Sequence, residues 1–503
     1  MYNVSDVLAF LFNLSVHSGI FPDDLKTAVV VPIFKKGEST DKRNYRPISL
    51  LPVISKIFEK IIKKQMINFL ASTNFLSPNQ YGFRQGLSTE DALLKFYSCL
   101  MKNLDDKKLC ACLFIDITKA FDMVDHRLLL KKLYSIGFRG HIYNWFASYL
   151  SGRSQVVKIV TSISDAWNIS LGVPQRSVLG PILFLVYINS VFHQQFRGKI
   201  TAFADDLGMS YAAQTQFELV SDINHDVEIL RKWFVAHKLT ISNKTRIMYV
   251  SLTQLDIPQV NIRYHDPNCK KFNLNPDNHR QYSQLEQCHP SCFDIESVES
   301  FKYLGVIIDR NLKWAEHTLS IKSYLRATIR KMYELRNFCS SQTLKMVYYG
   351  LFHSKLNYGI TCWGGAYFNK LDPLLKLQKC AIRLICNANR RHPSITLFKS
   401  LNILPIRHQY FHKVLKTFIL KNSHHVNRSL LQYNLRYPNN VPVPPFRTTS
   451  YRNSYAVLSC RLFNKLPNVL KCIYSPNSFL KNLKIWLLNF NHLDIEILLD
   501  PFV

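Results

Sequence analysis

The reading of this chain turns on Gly198–Ala213, "GKITAFADDLGMSYAA". Two adjacent carboxylates, Asp205 and Asp206, stand between "ITAF" and "LGMSYAA", runs whose composition reads as the two strands of a hairpin. Carboxylates are rarely buried unless they are paired or bind a cation. Two aspartates in a tight turn can be purely structural, so the rest of the chain has to decide. A third acid, Asp116, ends another apolar run, "KLCACLFIDITKAFD" (Lys108–Asp122), which reads as a buried strand leaving the core at that residue. Three carboxylates on neighbouring strand ends are a donor set for two Mg²⁺, a hard cation that prefers carboxylate and phosphate oxygens. Two such ions about 3.5–4 Å apart activate a hydroxyl nucleophile and stabilise the leaving oxygen of an in-line phosphoryl displacement.

Composition narrows the partners. The chain has 503 residues, 47% of them hydrophobic, and a formal charge of +30; at ~150 residues per domain this suggests about three domains. So basic a chain implies a polyanionic partner, nucleic acid or an anionic membrane surface. Between Asp372 and Asp494 there is no Asp or Glu, while Arg390, Arg391, Arg407, Lys413, Lys416 and Lys421 continue the positive charge. No run reaches the ~18 apolar residues of a membrane helix, so the charge points to nucleic acid and no membrane. The start, "MYNVSDVLAFLFNLSVHSGIFPDD", lacks a basic n-region and carries Asp6, Asn13 and His17; it reads as an amphipathic helix rather than a secretory signal. Twelve cysteines without tight spacing point to a reduced, intracellular protein, in nucleus, cytoplasm or both. No oligomeric state is readable.

Along the chain, "TAVVVPIFKKG" reads as a strand and turn, "SKIFEKIIKKQMINFL" as a helix, and "DHRLLLKKLYSIG" as a short helix closed by Gly137. "SQVVKIVTSISDAWNISLG" reads as a hairpin. "PILFLVYINSVF" is too apolar all round for a surface helix and is expected beneath the sheet. "FELVSDINHDVEILRKWFVAH" is helical. From about Ile257 to Val298 Asn, Asp, Pro and His accumulate, and an inserted loop is expected. Cys269, Cys288, His289 and Cys292 lie in it, but their spacing matches no regular zinc pattern. From Ala315 the pattern is helical and basic, with "DPLLKLQKCAIRLICNA" the clearest helix and a turn-rich patch, "YPNNVPVPPFRTTSYRNS", before the last ones.

"FADD" between apolar strands, "FIDITKAFDMVDH" and "GVPQRSVLGPILFLVYIN" together resemble the reverse transcriptase of non-LTR (LINE-like) retrotransposons, of the jockey type. "VVVPIFKKG", "NYRPISLLPVISKIFEKII", "QYGFRQGLST" and "FKYLGVIID" follow in the family's order. "YGITCWG", "LQKCAIRLI" and "LFNKLP" extend the resemblance weakly toward the end of the chain. It implies an α+β right-hand polymerase of fingers, palm and thumb, followed by a mostly helical basic region. The boundaries expected are a helix of a truncated fingers region over 1–25, the reverse transcriptase domain over 26–308 with an insertion at about 257–298, and thumb plus basic region over 309–503.

The activity implied is RNA-directed DNA polymerisation from a DNA primer on an RNA template, using dNTPs and two Mg²⁺, with Mn²⁺ as the alternative ion. Residue by residue, Asp116, Asp205 and Asp206 match the metal-binding aspartates. Phe121 matches the bulky residue against the sugar 2′ position. Lys35 or Lys36 and Arg46 match the cations gripping the triphosphate, where transition-state charge spreads over phosphate oxygens. Gln175 matches the residue touching the incoming nucleotide, and Lys244 resembles a proton donor to pyrophosphate, in a segment one residue shorter than the family's usual spacing. Tyr303, Leu304 and Gly305 resemble the grip on the primer strand; Arg390 and Arg391 are candidate phosphate contacts. One position departs: Arg176 stands where the family has a glycine, whose freedom in φ permits close approach to the nucleotide, so impairment is expected. A truncated copy, lacking the upstream endonuclease and the first part of the polymerase region, is also expected. The alternative function is therefore a non-catalytic RNA-binding remnant.

Overall fold

The computed structural model describes residues 2–35, 37–252, 262–266, 269, 288–365, 368–422, 440–473 and 475–490. The strands among them are β1 (Thr27–Phe34), β2 (Tyr45–Leu50), β3 (Leu109–Ile115), β4 (Arg153–Ile159), β5 (Ser162–Ile163), β6 (Trp167–Ile169), β7 (Lys199–Phe203), β8 (Asp206–Ala213), β9 (Arg246–Val250), β10 (Ile262–Tyr264), β11 (Phe293–Ser297), β12 (Ser300–Tyr303) and β13 (Val306–Asp309). They form three sheets. The largest, in the order β10-β11-β9-β3-β8-β7, is the palm; β2-β1-β4-β5, with β6 against β4, is a second sheet; β12 and β13 are a hairpin.

The run "LCACLFI" becomes the centre of the palm because it is apolar on both faces. Cys110, Cys112 and Phe114 pack into one hydrophobic cluster, and Ala111, Leu113 and Ile115 into the other, as alternation along a strand requires. On the first face lies the helix Thr89–Asp105, started by a reciprocal cap between Ser88 and Asp91; Phe96 packs on Phe114 of β3, ring centroids 5.8 Å apart, while Leu93, Leu100 and Met101 are buried in the same cluster. The second face is covered by the helices Val53–Ser72, His126–Ser135, Gly140–Leu150, Gly180–Ile188 and Gln216–Ala236. Gly180–Ile188 is buried at every residue except Pro181, the outcome expected of "PILFLVYI".

Two expectations need correction. The hairpin expected in "SQVVKIVTSISDAWNISLG" exists as β4 with β5 and β6, but β4 also runs parallel to β1, with Thr27 opposite Ser154. It therefore belongs to the sheet of "TAVVVPIF" instead of standing alone. The insertion expected as loop across 257–298 ends in strands. β10 pairs with β11, and β11 joins the palm alongside β9. Ile262, Tyr264 and Ile295 are buried; two three-to-five-residue alternations in a polar background were too short to register as periodicity. Residues 253–261, 267–268 and 270–287 lie outside the described residues.

From Ala315 onward the described chain is mostly helical, beginning with Ala315–Leu335 and including Phe368–Ile385, Ser394–Leu401, Ile406–Lys421, Tyr455–Asn464 and Pro476–Leu488, with 440–448 irregular. Its core is continuous with the first face of the palm. Of the turn-rich patch, 437–439 lie outside the described residues; Arg447 and Thr448 donate their backbone N–H groups to the Asp105 carboxylate at 2.7–3.1 Å. No helix among the described residues is long and apolar enough to cross a membrane.

Candidate active site

β3 and β8 are antiparallel neighbours, with Ile115 opposite Leu207 as the last rung. The next residues outward are Asp116 and Asp206. β7 and β8 close with Phe203 opposite Asp206, leaving Ala204 and Asp205 as a two-residue turn. Ala204 adopts φ +57°, the positive value that such hairpin turns require at their first central residue. The three acids thus meet at one edge of two adjacent strands.

The turn is held from beneath. The Gln80 side chain, 1% exposed, accepts hydrogen bonds from the N–H groups of Ala204 and Gly82, both at 2.8 Å, and donates to the Ala204 carbonyl at 3.1 Å. Gly82 has to be glycine, since a Cβ there would lie 2.3 Å from the Ala204 nitrogen. Asp116 is fixed through its backbone: its N–H donates to Thr245 Oγ1 at 3.2 Å and its carbonyl accepts from Ser242 N–H at 2.8 Å. Gln80 and Thr245 escaped the sequence reading because each acts on main-chain atoms more than a hundred residues away. The only signal for Gln80 was its place in "QYGFRQGLST".

Asp116 and Asp206 are exposed and Asp205 half-buried, so solvent and ligand reach them. Although the residue is open to solvent, desolvation by the protein around it pushes the Asp206 carboxyl up to about 6, with the charges of Asp205 and Asp116 adding to the rise. Burial raises Asp205 as well; Asp116 adds to that, while the Arg46 guanidinium pulls the other way. Among the described residues none of the three is in an ion pair. Three mutually repelling carboxylates without a cationic partner are a donor set that fits a hard divalent cation.

An open cavity of about 290 Å³ is lined by Asp116, Asp206, Lys302, Tyr303, Leu304 and Gly305, among others. It brings the "YLG" turn to the aspartates. The Tyr303 side chain is 3% exposed and donates to the Thr201 carbonyl at 3.2 Å, and Leu304 is buried as well, so of the three residues Gly305 is the one partly open to a strand in the cavity. Arg46 is exposed on β2, opposite Ile33. Lys35 follows β1, its N–H on the Asn44 carbonyl; Lys36 lies outside the described residues.

Phe121 is half-buried, stacked on Phe184 with centroids 4.4 Å apart and edge-on to Phe83. Gln175 donates to both carboxylate oxygens of Asp122, at 2.8 and 3.1 Å. Lys244 is exposed, two residues from the Ser242–Asp116 contact. Arg176 is exposed with φ +65°, in the left-handed region where glycine is favoured. The loop after it is tied down by Glu59, fully buried, whose carboxylate accepts from Val178 and Leu179 N–H at 2.6 and 3.1 Å. Glu59 was also unread in the sequence. Arg390 and Arg391 lie exposed between the helices Phe368–Ile385 and Ser394–Leu401, away from the strand-end site in sequence.

Comparison with known proteins gives a consistent picture. The family model described as "Reverse transcriptase (RNA-dependent DNA polymerase)" matches residues 33–308. A probable RNA-directed DNA polymerase from transposon X-element of Drosophila melanogaster is 27% identical over 79% of this chain and 42% of its own length. One from transposon BS of the same organism is 28% identical over 80% and 43%. The RNA-directed DNA polymerase from mobile element jockey of Drosophila funebris is 28% identical over 76% and 40%. The chain therefore spans about two fifths of the length of these relatives.

Proposed function

The chain belongs to the reverse transcriptase family, whose model covers more than half of it, and on that premise we propose that it is the RNA-directed DNA polymerase of a non-LTR retrotransposon, extending a DNA 3′-OH along an RNA template. The observation that carries this reading is the convergence of Asp116, Asp205 and Asp206 on adjacent strand ends beside an open cavity. Asp116, Asp205 and Asp206 would hold two Mg²⁺, or Mn²⁺ in their place, which when bound supply activation of the primer hydroxyl and charge stabilisation at the transferring phosphorus.

The chain's own residues do the rest. Arg46, close enough to act on Asp205, and Lys35, at the end of the strand paired with it, or Lys36 neutralise the triphosphate. Phe121, braced by Phe184 and Phe83, presents its edge to the sugar and disfavours a 2′-hydroxyl. Gln175, oriented by Asp122, fixes the nucleotide. Lys244 donates a proton to the departing pyrophosphate. The turn of Tyr303, Leu304 and Gly305 seats the primer end at the cavity. Arg390 and Arg391 contact phosphates of the RNA or the hybrid. The RNA-binding remnant has one observation in its favour, the positive φ of Arg176, which strains the loop next to Gln175.

Primer extension on an RNA template with Mg²⁺ tests the reading. Extension that disappears in Asp205→Asn and Asp206→Asn supports it. A native chain that binds RNA but never extends the primer, alone or as Arg176→Gly, sinks it in favour of the remnant.

A further inference from the structure

The insertion that carries three of the chain's cysteines has a chemistry the polymerase reading does not use. We propose that His265, Cys269, Cys288 and Cys292 bind one Zn²⁺ that staples the base of the insertion to the edge of the palm sheet. The four ligand atoms, one from each residue, lie within 4.8 Å of one another. A tetrahedral site with Zn–S of about 2.3 Å has ligand atoms spaced a little under 4 Å apart, so a closure of about 1 Å suffices.

The scaffold explains why these four residues meet. β10 ends at Tyr264 and β11 begins at Phe293, and these two residues are paired. His265 and Cys292 are therefore the first residues beyond the last rung, one on each strand. A backbone hydrogen bond draws each arm back: Cys269 N–H donates to the Asp266 carbonyl at 2.9 Å, and Cys292 N–H to the His289 carbonyl at 2.9 Å. Cys269 Sγ lies 3.7 Å from His265 Nδ1, and the Cys288 and Cys292 sulfurs share the same cluster. The order is His-x₃-Cys, eighteen residues, Cys-x₃-Cys, two ligand pairs of the spacing common in structural zinc sites.

The surroundings suit a metal thiolate. Asp266 N–H points at Cys292 Sγ at 3.2 Å, placing a positive dipole end on the sulfur. Cys269 is 1% exposed although it sits in a polar insertion. No cysteine among these is in a disulfide. Three thiolates and one imidazole are soft to borderline donors, which select zinc and are poorly matched to Mg²⁺ or Ca²⁺. His289, the histidine suggested by the sequence, is a different case: its Nδ1 lies 3.6 Å from the Asp266 carboxylate and 3.3 Å from Ser291 N–H. The true fourth ligand is His265, which the sequence reading passed over because it lies on the other arm, four residues before Cys269.

The test uses the full chain, purified under reducing conditions, with metal measured by elemental mass spectrometry. One equivalent of zinc per chain is expected, falling to none in Cys288→Ser/Cys292→Ser and unchanged in His289→Gln. Exchange of the unmodified chain into Co²⁺ should give the intense visible bands of a tetrahedral thiolate site, which guards against a variant that merely misfolds. Zinc retained by the double serine variant, a zinc-free chain lacking the cobalt bands, or a disulfide joining two of the three cysteines after purification without metal chelators would overturn the proposal.

Discussion

Replacing Gln80 with leucine probes the support of the turn that carries Asp205 without touching an aspartate. The substitution keeps the side-chain volume and removes three hydrogen bonds, to Ala204 N–H, Ala204 C=O and Gly82 N–H. Ala204 and Gly82 are buried, so these groups lose their partners out of reach of solvent. At about 1–3 kcal/mol for each unsatisfied group, a rigid turn would be destabilised by roughly 3–9 kcal/mol, a large part of a domain's ~5–15 kcal/mol. The turn is therefore expected to shift and admit water, which lowers the cost but displaces Asp205, the residue next to Ala204. A misplacement of about 1 Å in a reacting constellation costs on the order of 100-fold in rate. Primer extension measured against Mg²⁺ concentration should show both a lower plateau and a higher half-saturating concentration. Gln80→Glu, which keeps the oxygen accepting from both N–H groups, should fall between. Gln80→Leu with native melting and native Mg²⁺ dependence would refute the claim that this amide holds the turn.

Four further outcomes are expected. Arg176→Gly relieves a left-handed residue and should stabilise the chain by about 1 kcal/mol, measured by denaturant unfolding, while raising primer extension. The raised carboxyls of Asp205 and Asp206 mean the native state holds more protons than the unfolded one while these groups titrate. The contribution of Asp206 to stability is present below the unfolded carboxylate range and is lost as pH rises through about 6, and that of Asp205 changes in the same direction; above that pH Mg²⁺ should raise the melting temperature, and well below it far less. Phe121→Ala should relax discrimination against ribonucleotides in extension assays; a loss of melting temperature with discrimination intact would mark Phe121 as packing alone. Reversing the charges of Arg390 and Arg391 should flatten the salt dependence of RNA binding by about 1–2 in slope, and an unchanged slope would remove them from the interface.

What the sequence made legible was whatever depends on nearest neighbours. The continuous apolar run of β3, the apolar helix Gly180–Ile188 and the hairpin turn beside Asp206 all announced themselves through local pattern, and Gly137 marked the end of its helix with φ +111°. What stayed hidden acts across long separations on main-chain groups: Gln80 on Ala204, Thr245 on Asp116, Glu59 on Val178 and Leu179. A glutamine that satisfies three backbone groups looks in sequence like any surface glutamine. The parallel pairing of β1 with β4 was hidden for the same reason, because strand partners are not encoded in either strand alone.

The positive charge of the acid-free segment divides into two kinds once partners are known. Lys413 bridges to Glu90 at 3.0 Å and Lys421 to Asp91 at 3.1 Å, while Arg407 meets Asp372 at 2.7 Å. Glu90 also accepts from Gly359 N–H at 2.7 Å, and Asp105 receives the N–H groups of Arg447 and Thr448. All but one of these acids lie on the helix Thr89–Asp105, whose other side packs on the palm. Lys413 and Lys421 are engaged in docking the helical region on the helix behind the palm sheet, Arg407 ties two helices of that region together, and Lys413 and Arg407 are partly shielded from solvent, where ion pairs are screened less by salt. On the proposed function, the salt-sensitive attraction for RNA would then come from cations outside these pairs, the exposed Arg390 and Arg391 among them. Substituting Lys413 should accordingly weaken folding more than RNA affinity, whereas Arg390 and Arg391 should do the reverse; equal effects of both kinds on affinity would mean that the docking ion pairs open when RNA binds.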